Sequence, residues 1–550
     1  MSRGTISLLA TGLFLLLLAC SSTPEPVDES FLSLSPWPQT VERLPGRFAL
    51  KPAVVIVQAT GLENEASYLA GRLAESTGIE HEIKPAGQSI PKGSIHLTLD
   101  SSLDNGPEGY TLAVEPGGVT IAASSTAGVF YGIQTLMQLL PPDGGTGEKE
   151  LLLPALNIKD QPRFGWRAYL LDDARWFHGV DAVRMVIEQM ARLKMNRLHW
   201  YLTDDQGWRI EIRQYPKLTE IGSKRKDTQV GTWDSEERAG EPHGGFYSQD
   251  DIRGMVRYAT ERHVTIVPVI SMPGHASAAI ASYPEMGTSG EQIEVETTFG
   301  VKYNVFNVAD EKVYTFLENI LTEVMELFPS KVIHCGGDEV KFDQWMASRE
   351  IKALMKRENL HTPAEVQLYF TNRMSRFLES HGRRMMGWNE ILGHNVHSYQ
   401  QSFEDSESTG ESGAGKLAPN AIINFWTGEV ELAVGAAEQG YDIVNSHCSE
   451  TYLDYSYEDI PVERAYAFDP ILHGLPEQYQ QNVLGLGCQM WSEWVPNRER
   501  LDYQTFPRIA AYAEVGWTAK EAKDYQRFLS VLPALKAGWD RDGIKYADVP

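Results

Sequence analysis

Two carboxylates stand side by side at Asp338-Glu339, directly after an apolar run and two glycines in Val332-Ile333-His334-Cys335-Gly336-Gly337. Paired acids can move protons if their surroundings differ. A carboxyl kept from water holds its proton and can donate it, while an ionised neighbour stabilises positive charge. Successive strand residues face opposite sides of a sheet, so the two can share a cleft only where the strand has ended. Gly336 and Gly337 permit such a turn. An exposed acidic turn is the ordinary alternative, and the rest of the chain has to decide.

After Pro162 the chain alternates apolar runs with amphipathic helical patterns. The runs fall at 166–171, 197–202, 265–270, 331–335, 384–388, 421–426, 441–445 and 483–490, and the helical patterns at 181–193, 249–262, 311–328, 363–380, 429–439 and 506–516. Eight such units predict an α/β fold, a (β/α)8 TIM barrel spanning 161–550 with a short C-terminal extension. The fifth unit is the weak one, because no good helix follows Trp388 and the stretch 402–410 reads as a polar loop. Ahead of the barrel, residues 37–160 mix short strand-like runs with two helical ones, which predicts a smaller α+β domain that carries no catalytic constellation.

Composition narrows the function. The 550 residues carry a formal charge of −25, which repels nucleic acid and anionic lipid and favours a neutral or cationic substrate. The thirteen tryptophans suit stacking on sugar faces as well as core packing. No Cys-x-x-Cys or His-Glu-x-x-His spacing occurs, so neither a metal nor a cofactor is expected. At the N-terminus, Arg3 precedes an apolar run that ends at Leu17-Leu18-Ala19-Cys20-Ser21-Ser22. This resembles a bacterial lipoprotein signal, which implies removal of residues 1–19, lipidation of Cys20 and a tether over 20–36. The protein is then expected at the cell envelope, in the outer membrane or periplasm, held to the membrane by that lipid.

In a barrel, functional side chains sit where strands end, on one face. Reading past each run gives Asp172 and Arg175, Asp204 and Asp205, His275, Asp338 and Glu339, Trp388, Trp426, Tyr452 and Asp454, then Trp491 and Glu493. Carboxylates, indoles, an arginine and a histidine make up a set suited to sugar hydrolysis. The acids transfer protons and bind hydroxyls, and indole faces cover the apolar side of a pyranose.

Seven ordered stretches carry a family resemblance: Trp166-Arg167, His199-Trp200-Tyr201-Leu202-Thr203-Asp204-Asp205-Gln206-Gly207-Trp208-Arg209, Met272-Pro273-Gly274-His275, His334-Cys335-Gly336-Gly337-Asp338-Glu339, Gly387-Trp388-Asn389-Glu390, Thr451-Tyr452-Leu453-Asp454 and Trp491-Ser492-Glu493. Together they resemble the family-20 glycoside hydrolases, the β-N-acetylhexosaminidases. The resemblance implies substrate-assisted retention, in which the sugar's own 2-acetamido oxygen attacks the anomeric carbon, an exception to the two-carboxylate scheme. It implies Glu339 as acid and then base, Asp338 as acceptor of the acetamido N–H, and Tyr452 as donor to the acetamido oxygen. Trp388, Trp426 and Trp491 would wall the acetamido methyl. Arg167, Asp454 and Glu493 would bind ring hydroxyls at the closed end, making an exo-acting enzyme on N-acetylhexosamine-terminated oligosaccharides. Asp204 and His275 would form a relay toward Glu339.

Two departures stand out. Val269 and Ser271 occupy positions where the family commonly carries acids, and Tyr201 replaces a second histidine, so a relay poorer in negative charge is expected. A disaccharide-releasing or polymer-cleaving member, and a glycan-binding surface lipoprotein on an inactive barrel, are the competing readings.

Overall fold

The computed structural model describes residues 31–87, 91–141, 150–401 and 413–549, together with Met1. Cys20, the signal and most of the tether lie outside the described residues, as does the polar stretch 402–410. Among the described residues no helix is long and apolar enough to cross a membrane.

The N-terminal unit is a seven-stranded mixed sheet in the order Thr40–Leu50, Leu151–Asp160, Tyr110–Glu115, Gly118–Ala123, Ile95–Leu99, Ile56–Gln58 and Ile83–Pro85. Helix Thr126–Gln138 begins at Ser125, whose side chain accepts the Gly128 N–H, and it is buried along most of its length. It is apolar on every side because the sheet covers one flank and the barrel the other. Tyr131 meets Trp517 edge-on at 5.1 Å on the barrel side, and a Cβ at Gly132 would meet Ile121 Cγ2 at 2.5 Å on the sheet side.

Eight parallel strands form the second unit: Trp166–Asp172, Arg197–Asp204, Thr265–Ile270, Val332–His334, Arg384–Trp388, Ile422–Phe425, Asp442–Asn445 and Val483–Met490. Each pairs with the next, and the first pairs with both the second and the eighth, closing the barrel. These strands are almost wholly buried, which is why they read as continuous apolar runs. After the fifth strand the described residues hold only single turns, Asn389–Leu392 and Ser398–Gln401, in keeping with the weak helical pattern there. The C-terminal extension ends in a 17-residue helix, Tyr525–Arg541, which buries Phe528, Val531, Leu532 and Trp539.

Two cations fully buried in the barrel have their counter-charges in the N-terminal unit. Arg167 donates to both oxygens of Glu108, at 3.0 and 2.8 Å, and to the carbonyls of Phe164 and Lys194. Lys194 donates to Tyr110 Oη at 2.9 Å and to Asp160 Oδ2 at 3.1 Å, an oxygen that also accepts the Trp517 indole N–H. Arg167 was expected to bind ring hydroxyls, and here the expectation fails. It is the second residue of its strand, so at ~3.3 Å per residue it lies about 17 Å from the strand's C-terminal end, on the opposite side of the barrel.

Candidate active site

At the C-terminal ends of the strands, a cavity of about 220 Å³ is lined by Arg175, Trp233, Asp338, Glu339, Trp388, Trp426, Tyr452, Asp454, Tyr455, Trp491 and Glu493. It is smaller than the ~300–1,000 Å³ of sites for drug-sized ligands, a size suited to one pyranose. Of the eleven residues expected to form the site, eight line this cavity; Asp204 and His275 lie directly behind it and Arg167 is remote. Arg175, three residues past the C-terminal end of the strand that carries Arg167, is the arginine that reaches the cavity.

The acid pair is presented as its sequence suggests. Gly336 and Gly337 turn the chain with φ of +67° and +92°, and Glu339 itself has φ +53°. A side chain at Gly337 would collide with Ile391 Cγ2 at 2.5 Å, so the turn needs glycine for space as well as for conformation. His275 faces both acids, with Nε2 3.6 Å from Asp338 Oδ2 and 3.4 Å from Glu339 Oε2. Its Nδ1 lies 3.1 Å from Asp205 Oδ2 and 3.3 Å from Asp204 Oδ1. Burial works against the imidazolium, but the surrounding carboxylates prevail and hold His275 protonated well above its usual range. These carboxylates and His275 have the donor types for a divalent cation. In its protonated form His275 has no lone pair to give one.

From the protein's groups alone, the two acids titrate in the reverse of the order first expected. Burial pushes Asp338 up to about 7 against the pull of His275, with Glu390 and Glu339 adding repulsion, and its Oδ1 has no hydrogen-bond partner. Glu339 is less enclosed, its side chain 27% exposed, and the effect of His275 outweighs burial to keep it below the usual carboxylate range. An acetamido N–H would satisfy Asp338 Oδ1 and favour its ionised form. A sugar covering Glu339 would exclude water and favour its protonated form.

At the closed end, Arg175 holds Asp204 at 2.9 Å, Asp172 at 3.2 Å and Glu493 at 3.6 Å. Burial pushes Glu493 up to about 7 despite that arginine, and raises Asp454, whose Oδ1 is unpartnered. Buried polar atoms are rarely left unpaired, so Asp338, Asp454 and the Trp388 indole N–H, also unpartnered, mark where a polar ligand fits. Around them, Trp388 and Trp491 lie 5.7 Å apart between ring centroids, and Trp426 stacks parallel to Tyr452 at 6.2 Å.

Glu390 and His397 were not among the expected site residues. The fully buried Glu390 accepts the Trp426 indole N–H at 2.9 Å and lies 3.0 Å from His397 Nε2, with the Glu339 backbone N–H 3.4 Å away. It thus ties a cavity wall to the backbone of the acid. The signal for Glu390 was present in Trp388-Asn389-Glu390, whereas His397 lies in the pattern-free fifth unit. Trp233 at the rim, 58% exposed, belongs to the long excursion after the second strand and packs edge-on against Trp494 at 5.3 Å.

Comparison with known proteins agrees with this arrangement. Residues 164–520 match the Glycosyl hydrolase family 20 catalytic domain and residues 32–161 match domain 2 of the same family. A beta-hexosaminidase of Porphyromonas gingivalis is 34% identical over 96% of this chain and 66% of its own, and one of Vibrio furnissii is 35% identical over 90% and 78%. Among solved structures, the exo beta-N-acetylglucosaminidase of Vibrio harveyi in complex with N-acetylglucosamine superposes with a TM-score of 0.80 at 31% identity, over 94% of this chain and 78% of that one. The Streptomyces plicatus N-acetyl-beta-hexosaminidase in complex with Thio-NAglucal gives 0.79 at 29% identity, over 96% and 98%. With both units matched in order and the acid pair at the strand ends, this chain belongs to glycoside hydrolase family 20.

Proposed function

We propose that the protein is an exo-acting β-N-acetylhexosaminidase that releases terminal non-reducing N-acetylglucosamine or N-acetylgalactosamine with retention. The observation that carries this reading is a cavity sized for one sugar, with the Asp338-Glu339 pair on its wall and Arg175, Asp454 and Glu493 across its end. A buried, charged end wall of this kind disfavours disaccharide release. The alignment of His275 with both acids disfavours a pure binder.

In this reading the acetamido oxygen attacks the anomeric carbon while Glu339 passes its proton to the departing glycosidic oxygen. The bond to the leaving group breaks and an oxazolinium forms, its N–H held by ionised Asp338. Tyr452 donates to the acetamido oxygen, and Trp388, Trp426 and Trp491 enclose the methyl. Glu339, now a carboxylate, takes a proton from water as that water attacks the anomeric carbon, reopening the ring with net retention. Arg175, Asp454 and Glu493 bind the ring hydroxyls, and Trp233 offers the next sugar an exposed aromatic face. Chitin oligosaccharides and envelope glycans are the substrates this arrangement suits.

A chromogenic β-N-acetylglucosaminide should be hydrolysed while the matching β-glucoside, lacking the amide, is not. Equal cleavage of both would rule out the acetamido route, and turnover of neither would favour the binder.

The lipid anchor rests on the sequence signal alone, Leu17-Leu18-Ala19-Cys20. The full-length protein expressed in a Gram-negative host should incorporate a labelled fatty acid and sediment with membranes, and Cys20→Ser should abolish both. Label retained in Cys20→Ser would exclude that cysteine as the attachment point.

A further inference from the structure

Tyr201 and Ser271, two of the three residues that depart from the usual relay pattern, meet in space, Tyr201 on strand Arg197–Asp204 and Ser271 directly after the neighbouring strand Thr265–Ile270. The Ser271 hydroxyl donates to Tyr201 Oη at 2.9 Å, and that hydroxyl donates to Asp204 Oδ2 at 2.8 Å. Asp204 Oδ2 also takes Arg175, while Oδ1 takes the Asp205 N–H and faces His275. Tyr201 is fully buried and touches both halves of the site. Its ring stands edge-on to Trp491 at 4.9 Å, and the Arg175 guanidinium lies 5.3 Å from the ring centre.

Ser271 in turn lies against the turn that presents the acids. A Cβ built on Gly336 would sit 3.0 Å from Ser271 Cα and 3.1 Å from its Oγ. The Ser271 backbone N–H is fixed by Thr203 Oγ1 at 2.9 Å. The contacts therefore close a ring: the Gly336 turn, Ser271, Tyr201, Asp204, His275, and back to Asp338 and Glu339. Carboxylate partners that fix one oxygen also fix the direction of the other. Burial and the Asp204 charge hold the phenol well above its usual range, so it remains a donor throughout the working pH range.

We propose that Tyr201, oriented by Ser271, is a positioning residue that aims Asp204 at His275 and so sets the proton relay to Glu339 with neutral hydroxyls. The proposal rests on the hexosaminidase reading above. Because the relay serves proton delivery to the leaving group, its loss should scale with how much that group needs a proton.

The test compares wild type, Tyr201→Phe, Ser271→Ala and the double variant on N,N'-diacetylchitobiose and on 2,4-dinitrophenyl N-acetyl-β-glucosaminide. Tyr201→Phe should lower kcat about tenfold or more on the disaccharide and less than about threefold on the aryl glycoside, with KM within about twofold. Ser271→Ala should show a smaller loss with the same split. The double variant should match Tyr201→Phe within about twofold, since Ser271 acts through Tyr201. Unchanged kcat on the disaccharide, equal losses on both substrates, or losses that multiply in the double variant would each overturn the proposal. Should Tyr201→Phe not fold, the split in Ser271→Ala decides alone. Wild-type turnover reports on the hexosaminidase reading independently of every variant.

Discussion

Glu339→Gln should lower kcat on N,N'-diacetylchitobiose by about 10²–10⁴-fold, the usual scale of general acid–base assistance. On a dinitrophenyl glycoside, whose leaving group departs without a proton, the bond-breaking step should stay within about tenfold of wild type. The amide keeps the shape of the side chain but has no proton of the required acidity to give. His275 should stay in place, because its contacts with Asp204 and Asp205 are independent of Glu339. Pre-steady-state release of dinitrophenol separates that step from hydrolysis of the intermediate, which needs Glu339 as base. Equal loss on both leaving groups would assign the acid to a different residue.

Asp338→Asn should change the pH behaviour of both activity and stability. Asp338 is pushed from 3.8 to about 7, and its ionised form is the one that stabilises the positive oxazolinium, so wild-type kcat/KM should climb as pH rises toward about 7. That limb should vanish in the variant, at a rate lower by orders of magnitude. Stability moves the other way. A carboxyl with a raised folded pKa contributes its full share below the unfolded value near 4, and that share is lost as pH rises through the folded value. A shift of about three units corresponds to roughly 4 kcal/mol, so Asp338→Asn should be the more stable protein at pH 8 by up to about that amount, with little difference at pH 4. Glu493, raised to about 7, and the raised Asp454 add to the same downward slope in wild type. Thermal unfolding from pH 4 to 8 measures the gap, and a gap independent of pH would show that Asp338 is not protonated in the folded protein.

The parts of this molecule visible in the sequence are those where one local rule dominates. Parallel strands buried on both faces leave runs such as Thr265–Ile270 and Val483–Met490 that few other structures produce. The acids were found because Gly336 and Gly337 mark the end of a strand. Arg167 was misplaced because motif likeness outweighed position, although the rule that function sits at strand ends already favoured Arg175. Strand Thr40–Leu50 leaves no continuous pattern, because Pro45 and Gly46 interrupt it where its pairing with Leu151–Asp160 shifts register, and its first half has no buried residue. Helix Tyr525–Arg541 is hidden by Pro533 in its interior. Val269, one of the residues that depart from the family pattern, is fully buried in the apolar core. No one-dimensional pattern could show that Tyr201 and Ser271 touch.

Arg167 and Lys194 bear on how the protein can be dissected. Each is a fully buried cation whose anion, Glu108 in the turn before strand Tyr110–Glu115 or Asp160 at the end of strand Leu151–Asp160, comes from the N-terminal unit. Stripping one partner from such a pair costs about 3–5 kcal/mol, and losing both would approach the ~5–15 kcal/mol that holds a typical domain folded. A barrel expressed without its first 160 residues should therefore be recovered as aggregate, and adding the missing piece in trans should rescue it only if that piece is present while the barrel folds. The small domain then acts as an obligatory folding partner of the enzyme that follows it on the same chain.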